Sequence, residues 1–122
     1  MLVFWQKKLV VFSIPKTGTS AFEKSLAPHA DMVLGNPPHL KHLPVYRFNR
    51  FLDPMFDVMG AKDFEKFALI REPLDWLGSW YKYRSRSEID GQANSCKDRS
   101  FDEFVLEAMK GKPEPFGNVG RQ

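Results

Sequence analysis

The sequence predicts an α/β fold, a three-layer structure in which a parallel sheet is flanked by helices. Two short apolar stretches, at 8–14 and 67–70, do not alternate with polar residues and are typical of buried parallel strands. Segments with apolar residues at helical spacing separate and follow them, as crossover helices would. With 122 residues the chain has the size of one domain, so we expect one domain over 1–122.

The first crossover is predicted to hold a helix and a further strand. A helix is favoured over 18–27, where Phe22 and Leu26 are four residues apart. A short strand is predicted over 32–34, and the Gly-Asn-Pro-Pro sequence at 35–38 predicts a loop.

Two short helices are predicted in the middle of the chain. Pro44 suits the first turn of one helix, and apolar residues recur at helical spacing from there to Met59. Because Pro54 interrupts this pattern, we expect a break there, with Asp53 capping the second helix and Gly60 ending it.

The last third of the chain is predicted to hold two more helices. Pro73 would start one whose apolar residues lie on two sides, which predicts a largely buried helix. The polar residues 88–99 predict a loop, and Ser-Phe-Asp-Glu at 100–103 is a capping box that starts the final helix. We expect that helix to end at Gly111, and the tail, 111–122, shows no packing pattern.

Composition and charge narrow the classes of function. The net charge of +3 is a mild bias towards anionic partners and too small to predict nucleic-acid binding. Cys96 is the one cysteine of the sequence, so the chain cannot form an internal disulfide. No apolar stretch reaches the ~20 residues that span a bilayer, and the start does not resemble a secretory signal. We therefore expect a cytoplasmic protein without nucleic-acid or membrane partners.

The Pro-Lys-Thr-Gly-Thr-Ser sequence lies between the first predicted strand and the first predicted helix. Backbone N–H groups and the helix dipole attract anions at such a position, and glycine lets the backbone approach the ligand closely. Hydroxyl groups and a lysine add further donors and a positive charge. The loop, 14–20, is thus predicted to bind a phosphate or sulfate. The candidate contacts are Lys16, Thr17, Gly18, Thr19 and Ser20.

This loop has two other interpretations. It could be an ordinary strand-to-helix turn in which Thr19 or Ser20 caps the helix and Lys16 is solvated. A Walker A loop does not fit, because the first glycine and the Gly-Lys-Ser/Thr order are missing. A nucleoside triphosphatase would also need an acidic residue after a strand to hold magnesium, whereas Arg71 follows the second predicted strand. The sequence therefore predicts an anion held by protein cations, without a metal.

The second chemically unusual segment is the Arg-Glu-Pro sequence that starts at Arg71. In open α/β sheets ligands bind at the carboxyl ends of the strands, so we expect this segment to contribute to the same site as loop 14–20. An arginine fork can pair bidentately with phosphate oxygens. By itself the motif also fits a structural role, in which Arg71 forms an ion pair with an acidic side chain and Ser79 is a small residue that packs in the core.

Taken together, loop 14–20, the later strand ending in Arg-x-Pro and the serine eight residues after that arginine resemble the sulfotransferases that use 3′-phosphoadenosine 5′-phosphosulfate. The resemblance implies a P-loop NTPase-like sulfotransferase fold in which the loop holds the 5′-phosphosulfate. It implies that Lys16 reaches the oxygen bridging phosphate and sulfate. It also implies that Arg71 and Ser79, in segment 71–81, bind the 3′-phosphate.

A base must take the proton of the acceptor hydroxyl during sulfuryl transfer, and a histidine suits this near neutral pH. The Lys-His-Leu-Pro sequence is similar to a segment of several sulfotransferases in which the histidine before Leu-Pro is the base, so His42 is the candidate and His39 the alternative. Both also fit ordinary loop histidines, one of them bonded to the backbone. His29 is expected to be exposed. Since other members of the family use a glutamate, Glu23 and Glu65 stay open. His39 and His42 could also bind a metal, but the sequence offers no third ligand at a suitable spacing.

The resemblance covers residues 10–86. The family completes the nucleotide pocket with a later loop, which has no evident counterpart here, so we expect a fold that is incomplete at the C-terminus. An exposed sheet edge would then favour self-association. Arg84 and Arg86 could meet an acidic acceptor, although a solvated helix end is the simpler expectation.

The predicted function is transfer of a sulfuryl group from 3′-phosphoadenosine 5′-phosphosulfate to a hydroxyl of a carbohydrate or small molecule. Lys16 and His42 would be the catalytic residues, the nucleotide the co-substrate, and no metal is expected. The alternatives are a non-catalytic module that binds a nucleotide or polyanion, and a nucleotide kinase of related architecture.

Overall fold

The structure, a computed structural model, describes residues 1–120. The chain divides into two compact units, residues 1–70 and the residues from 71 onwards. The first unit is built on a β-sheet and the second on helices, and each is described by itself. Within residues 1–120, no helix combines the length and the apolar character needed to cross a membrane.

The first unit contains a mixed sheet. Its strands are β1 (Leu2–Phe4), β2 (Leu9–Phe12), β3 (Met32–Val33) and β4 (Glu65–Ala68). Their order in the sheet is β3-β1-β2-β4. β2 and β4 pair in parallel, whereas β1 pairs antiparallel with both β2 and β3. The predicted sheet between helices is thus present, but the prediction that it is wholly parallel is wrong.

A tight hairpin accounts for the antiparallel half. Residues 5–8 connect β1 to β2, and a parallel connection needs about a dozen residues. Lys8 adopts a left-handed backbone with φ of 47°, and its N–H donates to the carbonyl oxygen of Trp5 at 3.1 Å. The polar residues that interrupt the apolar N-terminal stretch therefore form a turn between two strands.

Helices cover both faces of this sheet. They are α1 (Thr19–Leu26), α2 (Pro38–Lys41), α3 (Val45–Phe51) and α4 (Asp53–Val58). Because successive side chains of a strand point to opposite faces, Val3 packs in one core with Phe48 and Phe56. Leu2 packs in the other core, against Phe22 of α1. The helix, sheet and helix layers predicted from the sequence are present in this unit.

The break predicted at Pro54 is present, since α3 ends at Phe51 and α4 begins at Asp53. The predicted cap is wrong, because Asp53 is the first helical residue and its side chain does not cap the helix. Its carboxylate instead accepts a hydrogen bond from Lys66 at 2.8 Å. Gly60 follows α4 with φ of 83°, a left-handed conformation that favours glycine.

The second unit begins with α5 (Pro73–Arg84), which starts at the predicted proline. The carboxylate of Glu72 caps it by accepting a hydrogen bond from the N–H of Asp75 at 2.7 Å. The expectation of a largely buried helix is wrong: Trp76 is buried, but Leu74 is 61% exposed. Its apolar residues on two sides are therefore not all covered.

The capping box predicted for the final helix is confirmed. This helix, α6, covers Phe101–Ala108 and ends ahead of the predicted Gly111. The Ser100 hydroxyl accepts a hydrogen bond from the N–H of Glu103 at 3.2 Å, and the Glu103 carboxylate accepts one from the N–H of Ser100 at 2.7 Å.

The tail after α6 is packed, contrary to the expectation from its sequence. Phe116 is buried with Phe104 of α6 and with Cys96. Gly117 lies against α6 so closely that a Cβ atom there would be 2.5 Å from the Cγ of Glu107. The apolar core of the second unit therefore includes part of the tail.

Arg84 binds the tail as well. It is only 6% exposed, and its guanidinium donates to the carbonyl oxygens of Pro115, Phe116 and Asn118 at 2.7–2.8 Å. Its guanidinium also lies over the ring of Trp80, 5.2 Å from the centroid. A buried charge needs such partners, so Arg84 is a structural residue and neither of the two roles expected from the sequence applies.

Candidate functional site

The loop that follows β2 lies at the edge of the sheet where β4 also ends. β2 and β4 are parallel neighbours, and Phe12 pairs with Ala68 at their carboxyl ends. This edge is where open α/β sheets bind ligands. The two strands that precede the chemically unusual segments thus end side by side, as the sequence predicts.

The backbone of this loop contains two left-handed residues. Lys16 has φ of 69° and Gly18 has φ of 83°. A left-handed conformation costs a residue with a side chain about 1–2 kcal/mol, and such conformations are common in loops that hold ligands. Gly18 is the residue before α1, and no side chain caps this helix. The interpretation in which Thr19 or Ser20 caps the helix is therefore wrong. The N–H groups of these two residues have no carbonyl acceptor within the helix.

The hydroxyl groups of the loop are not equivalent. Thr17 and Thr19 both donate to the carbonyl oxygen of Ile14, with Oγ1–O distances of 2.9 and 3.2 Å. A hydroxyl has a single proton, so in this geometry the two threonines tighten the loop and offer a ligand only lone pairs. The predicted donation to an anion would require them to turn away from Ile14. Ser20, by contrast, is exposed in the first turn of α1.

His42 lies directly against the start of this loop. Its Nδ1 atom is 2.6 Å from the carbonyl oxygen of Ser13, the residue after β2. Since a carbonyl oxygen only accepts hydrogen bonds, Nδ1 carries the proton of the neutral ring and Nε2 keeps its lone pair. This is the tautomer that lets Nε2 act as a base. The structure therefore places the predicted base in contact with Ser13, the residue immediately before loop 14–20.

The other two histidines are exposed. The exposure expected for His29 is confirmed, and His39 also faces solvent, at the second residue of α2. In the neutral ring of His42, Nδ1 is committed to the carbonyl of Ser13. Among residues 1–120, no three His, Cys, Asp or Glu side chains are grouped closely enough to hold a metal ion.

Glu23 is bound by several donors and does not suit the role of base. One carboxylate oxygen accepts hydrogen bonds from the Ser13 hydroxyl and, at 2.9 Å, from the Met1 amino group. The other forms an ion pair with Lys41 at 2.9 Å. Burial alone would raise the pKa of Glu23, but the bonds from Ser13, Lys41 and Met1 hold that pKa at about 2. So acidic a carboxylate accepts protons poorly near neutral pH.

Glu65 lies at the wrong end of the sheet to serve the loop. It is the first residue of β4 and pairs with Leu9, whereas the loop leaves the sheet after Phe12. At a strand rise of about 3.3 Å per residue, these positions are about 10 Å apart along the sheet. Of the candidate bases on the first unit, His42 and Glu23 both contact Ser13, and of these two His42 suits the role of base.

Arg71 and Ser79, the predicted 3′-phosphate residues, line one cavity of the second unit. The cavity has a volume of about 360 Å³. Lys82, one turn beyond Ser79 on α5, adds a second cation to its wall, and Asp75 adds a carboxylate. The other lining residues are Leu74, Gly78 and Phe101.

Comparison of the chain with protein-family models, with curated proteins and with solved structures found no match. The resemblance to sulfotransferases therefore depends on the sequence motifs alone.

One part of this site was not predicted from the sequence. The contacts of Glu23 with Ser13 and Lys41 join three segments that are distant in sequence. The available indication was Ser13 itself, a polar residue at the end of a buried apolar strand, where a hydroxyl needs a partner. That indication shows that a partner exists but not which residue it is.

Proposed function

We propose that this chain is a sulfotransferase, or the donor-binding part of one, that uses 3′-phosphoadenosine 5′-phosphosulfate. The acceptor is a hydroxyl group of a carbohydrate or small molecule. The observation that carries the proposal is the hydrogen bond between His42 and the carbonyl of Ser13. This bond holds the imidazole at the residue before loop 14–20 and leaves Nε2 as its proton acceptor.

In the proposed reaction, the acceptor oxygen attacks sulfur in line with the bridging oxygen. The new bond from sulfur to the acceptor oxygen forms while the bond from sulfur to the bridging oxygen breaks. Nε2 of His42 takes the proton of the acceptor hydroxyl. The leaving group is adenosine 3′,5′-bisphosphate, and the ammonium of Lys16 offsets the charge that develops on its 5′-phosphate.

The loop backbone supports the assignment of the 5′-phosphosulfate to this position. The N–H groups of Thr19 and Ser20 begin α1, whose dipole is positive there. Such an interaction with an anion contributes up to about 2 kcal/mol in a partly buried setting. The left-handed conformation of Lys16 belongs to the same turn and is consistent with a loop shaped for a ligand.

The cavity lined by Arg71, Ser79 and Lys82 supports the assignment of the 3′-phosphate to the second unit. A guanidinium can bind two phosphate oxygens at once, while a hydroxyl and an ammonium add single bonds. The carboxylate of Asp75 on the same wall opposes an anion, so the two cations have to outweigh it.

We also propose a P-loop NTPase-like sulfotransferase fold for the first unit. The support is the order of β2, an anion-binding type of loop and α1, together with the parallel neighbour β4. The antiparallel strand β1 is an addition to that arrangement.

Binding and transfer measured on the same protein test the proposed function. Calorimetry compares adenosine 3′,5′-bisphosphate with ATP and magnesium, and transfer of labelled sulfate is followed to a panel of sugars and phenols. We expect the bisphosphate to bind more tightly and at least one acceptor to become labelled. Preference for ATP with magnesium would contradict the proposal, and binding of the bisphosphate without any transfer would indicate a non-catalytic module.

A further inference from the structure

Four segments of the first unit meet at the carboxylate of Glu23. Glu23 belongs to α1, Ser13 follows β2, Lys41 ends α2, and the Met1 amino group precedes β1. The carboxylate accepts a hydrogen bond from the Ser13 hydroxyl through one oxygen and pairs with Lys41 through the other. The Glu23 side chain thus joins the residue before loop 14–20 to the segment that carries His42. The Met1 amino group supports the same junction, since it donates to the Ser13 hydroxyl at 2.9 Å and to the Lys41 carbonyl at 3.2 Å.

Ser13 connects Glu23 to His42 through hydrogen bonds. It is 3% exposed and uses both of its polar oxygens: its hydroxyl donates to Glu23, and its carbonyl accepts from Nδ1 of His42. Lys41 provides a second path, because it immediately precedes His42 in the chain. Movement of Glu23 would therefore disturb the imidazole ring from two directions.

The charges around Glu23 favour a fixed arrangement. The charged groups that face it are the ammonium of Lys41 and the amino group of Met1. The side chains of Glu23 and Lys41 are 15% and 25% exposed, so water screens this pair less than a pair on the open surface. Hydrogen bonds to charged groups are also stronger than neutral ones.

We infer that Glu23 is a positioning residue for His42: it holds Ser13 and Lys41 so that the imidazole keeps its Nδ1 proton on the Ser13 carbonyl. Nε2 is then left as the acceptor of the substrate proton. The inference rests on the proposed function for the role of His42, whereas the positioning is a property of the folded chain.

The tautomer of His42 gives a readout that does not depend on activity. Long-range nitrogen–proton NMR spectra of the full chain labelled with ¹⁵N-histidine distinguish a proton on Nδ1 from one on Nε2. His29 and His39 are exposed and serve as internal references in the same spectrum. We expect His42 to hold its proton on Nδ1, unlike these two.

Glu23→Gln removes the negative charge with little change in shape. We expect the tautomer ratio of His42 to shift roughly three- to tenfold towards that of His29 and His39, the equivalent of one ordinary hydrogen bond. The matched control is Glu65→Gln, an exposed glutamate at the opposite end of the sheet, which should leave the ratio unchanged.

Two results would overturn the inference. One is a wild-type His42 with its proton on Nε2, and the other is an unchanged tautomer ratio in a folded Glu23→Gln protein. If the NMR spectrum of Glu23→Gln shows that this variant is unfolded, the tautomer ratio is measured in Lys41→Met instead. This variant keeps the hydrogen bond from Ser13 to Glu23. A smaller shift in the same direction is expected there, and the absence of any shift overturns the inference.

Transfer kinetics separate this inference from the proposed function. In an active protein, Glu23→Gln should lower kcat by the same factor as the fraction of His42 with its proton on Nδ1. The KM for the donor should not change. A tautomer shift in a protein that transfers no sulfate would support the positioning and contradict the proposed function. If the protein transfers sulfate but the tautomer ratio of His42 is the same in wild type and Glu23→Gln, the inference about Glu23 is overturned and the proposed function is not.

Discussion

The Nδ1 atom of His42 and the carbonyl oxygen of Ser13 are 2.6 Å apart, so the ring is hydrogen-bonded to the residue between β2 and loop 14–20. This bond leaves Nε2 as the ring nitrogen that can accept a proton. Ser13 immediately precedes loop 14–20, which carries Lys16. The role proposed for His42 depends on this bond, whereas the role proposed for Lys16 depends on the loop motif.

Replacement of the histidine should stop catalysis without unfolding the chain. We expect His42→Ala to lower kcat by about 10²–10⁴-fold, the usual contribution of a general base, with donor binding retained. The matched control is His39→Ala, since His39 is exposed and three residues away in sequence. Full turnover by His42→Ala in the transfer assay would show that the base is another group.

Lys16 should contribute to binding of the 5′-phosphate group. Lys16→Ala is expected to raise the Kd for adenosine 3′,5′-bisphosphate about tenfold or more, because a hydrogen bond to a charged group contributes about 1.5–3 kcal/mol. Lys24, exposed on α1, provides the control Lys24→Ala, which removes the same charge outside the loop. If calorimetry shows an equal loss of affinity in the two variants, Lys16 acts only through the overall positive charge of the protein and not through a specific contact.

Arg71 should discriminate between nucleotides with and without a 3′-phosphate. We expect the wild-type protein to prefer adenosine 3′,5′-bisphosphate to adenosine 5′-monophosphate, and Arg71→Ala to lose most of that preference. Arg71→Lys should recover only part of it, because an ammonium cannot form the bidentate pair. A preference that survives in Arg71→Ala would place the 3′-phosphate elsewhere.

Glu23 should make the stability of the first unit depend on pH. Its pKa is held at about 2 in the folded chain, below the ordinary 4.5, so folding favours its ionised form. This contribution is present above pH 4.5 and is lost as the pH falls towards 2; it amounts to roughly 3 kcal/mol. Denaturant unfolding, followed by amide signals of the first unit, should show Glu23→Gln less stable than wild type at pH 7.

The same comparison at low pH provides the control. The difference between wild type and Glu23→Gln should shrink as the pH falls through the window between 4.5 and 2. A difference that stays constant over this window would mean that the ionised carboxylate does not contribute the stability assigned to it.

Gly117 should be required for the packing of the tail. A Cβ atom at this position would lie 2.5 Å from Cγ of Glu107 and 3.0 Å from the backbone nitrogen of Ala108, so Gly117→Ala should destabilise the second unit by about 1–3 kcal/mol. Gly111→Ala is the matched control, because nothing lies within 4 Å of a Cβ there. Equal unfolding midpoints for the two variants in urea would contradict the packing described for the tail.

Elements with a local pattern could be predicted from the sequence. The capping box at 100–103 and the proline that starts α5 define their helices through neighbouring residues alone. The same holds for β2 and for the break at Pro54. In each case the physical cause lies within a few residues of the feature.

Features that depend on distant partners could not be predicted. The packing of Phe116 requires Phe104 and Cys96, and the tail carbonyls are bound by Arg84, which precedes them by about thirty residues. The hairpin between β1 and β2 was missed because the apolar stretch before it carries no turn motif with glycine or proline. Pairing and side-chain partners are set by tertiary structure.

The candidate site shows the same division. The motif at 15–20 and the Leu-Pro context of His42 indicated which residues to consider. The bond from His42 to the Ser13 carbonyl, the inward hydroxyls of Thr17 and Thr19, and the role of Glu23 are products of the folded loop and could only be read from the structure.

The most direct test of the account is an NMR titration of the full chain with adenosine 3′,5′-bisphosphate. If one nucleotide contacts both motifs, amide signals of residues 16–20 and of Arg71 and Ser79 will shift together and fit one common Kd. Shifts confined to one of the two motifs, or two sets of shifts with different Kd values, would contradict the account.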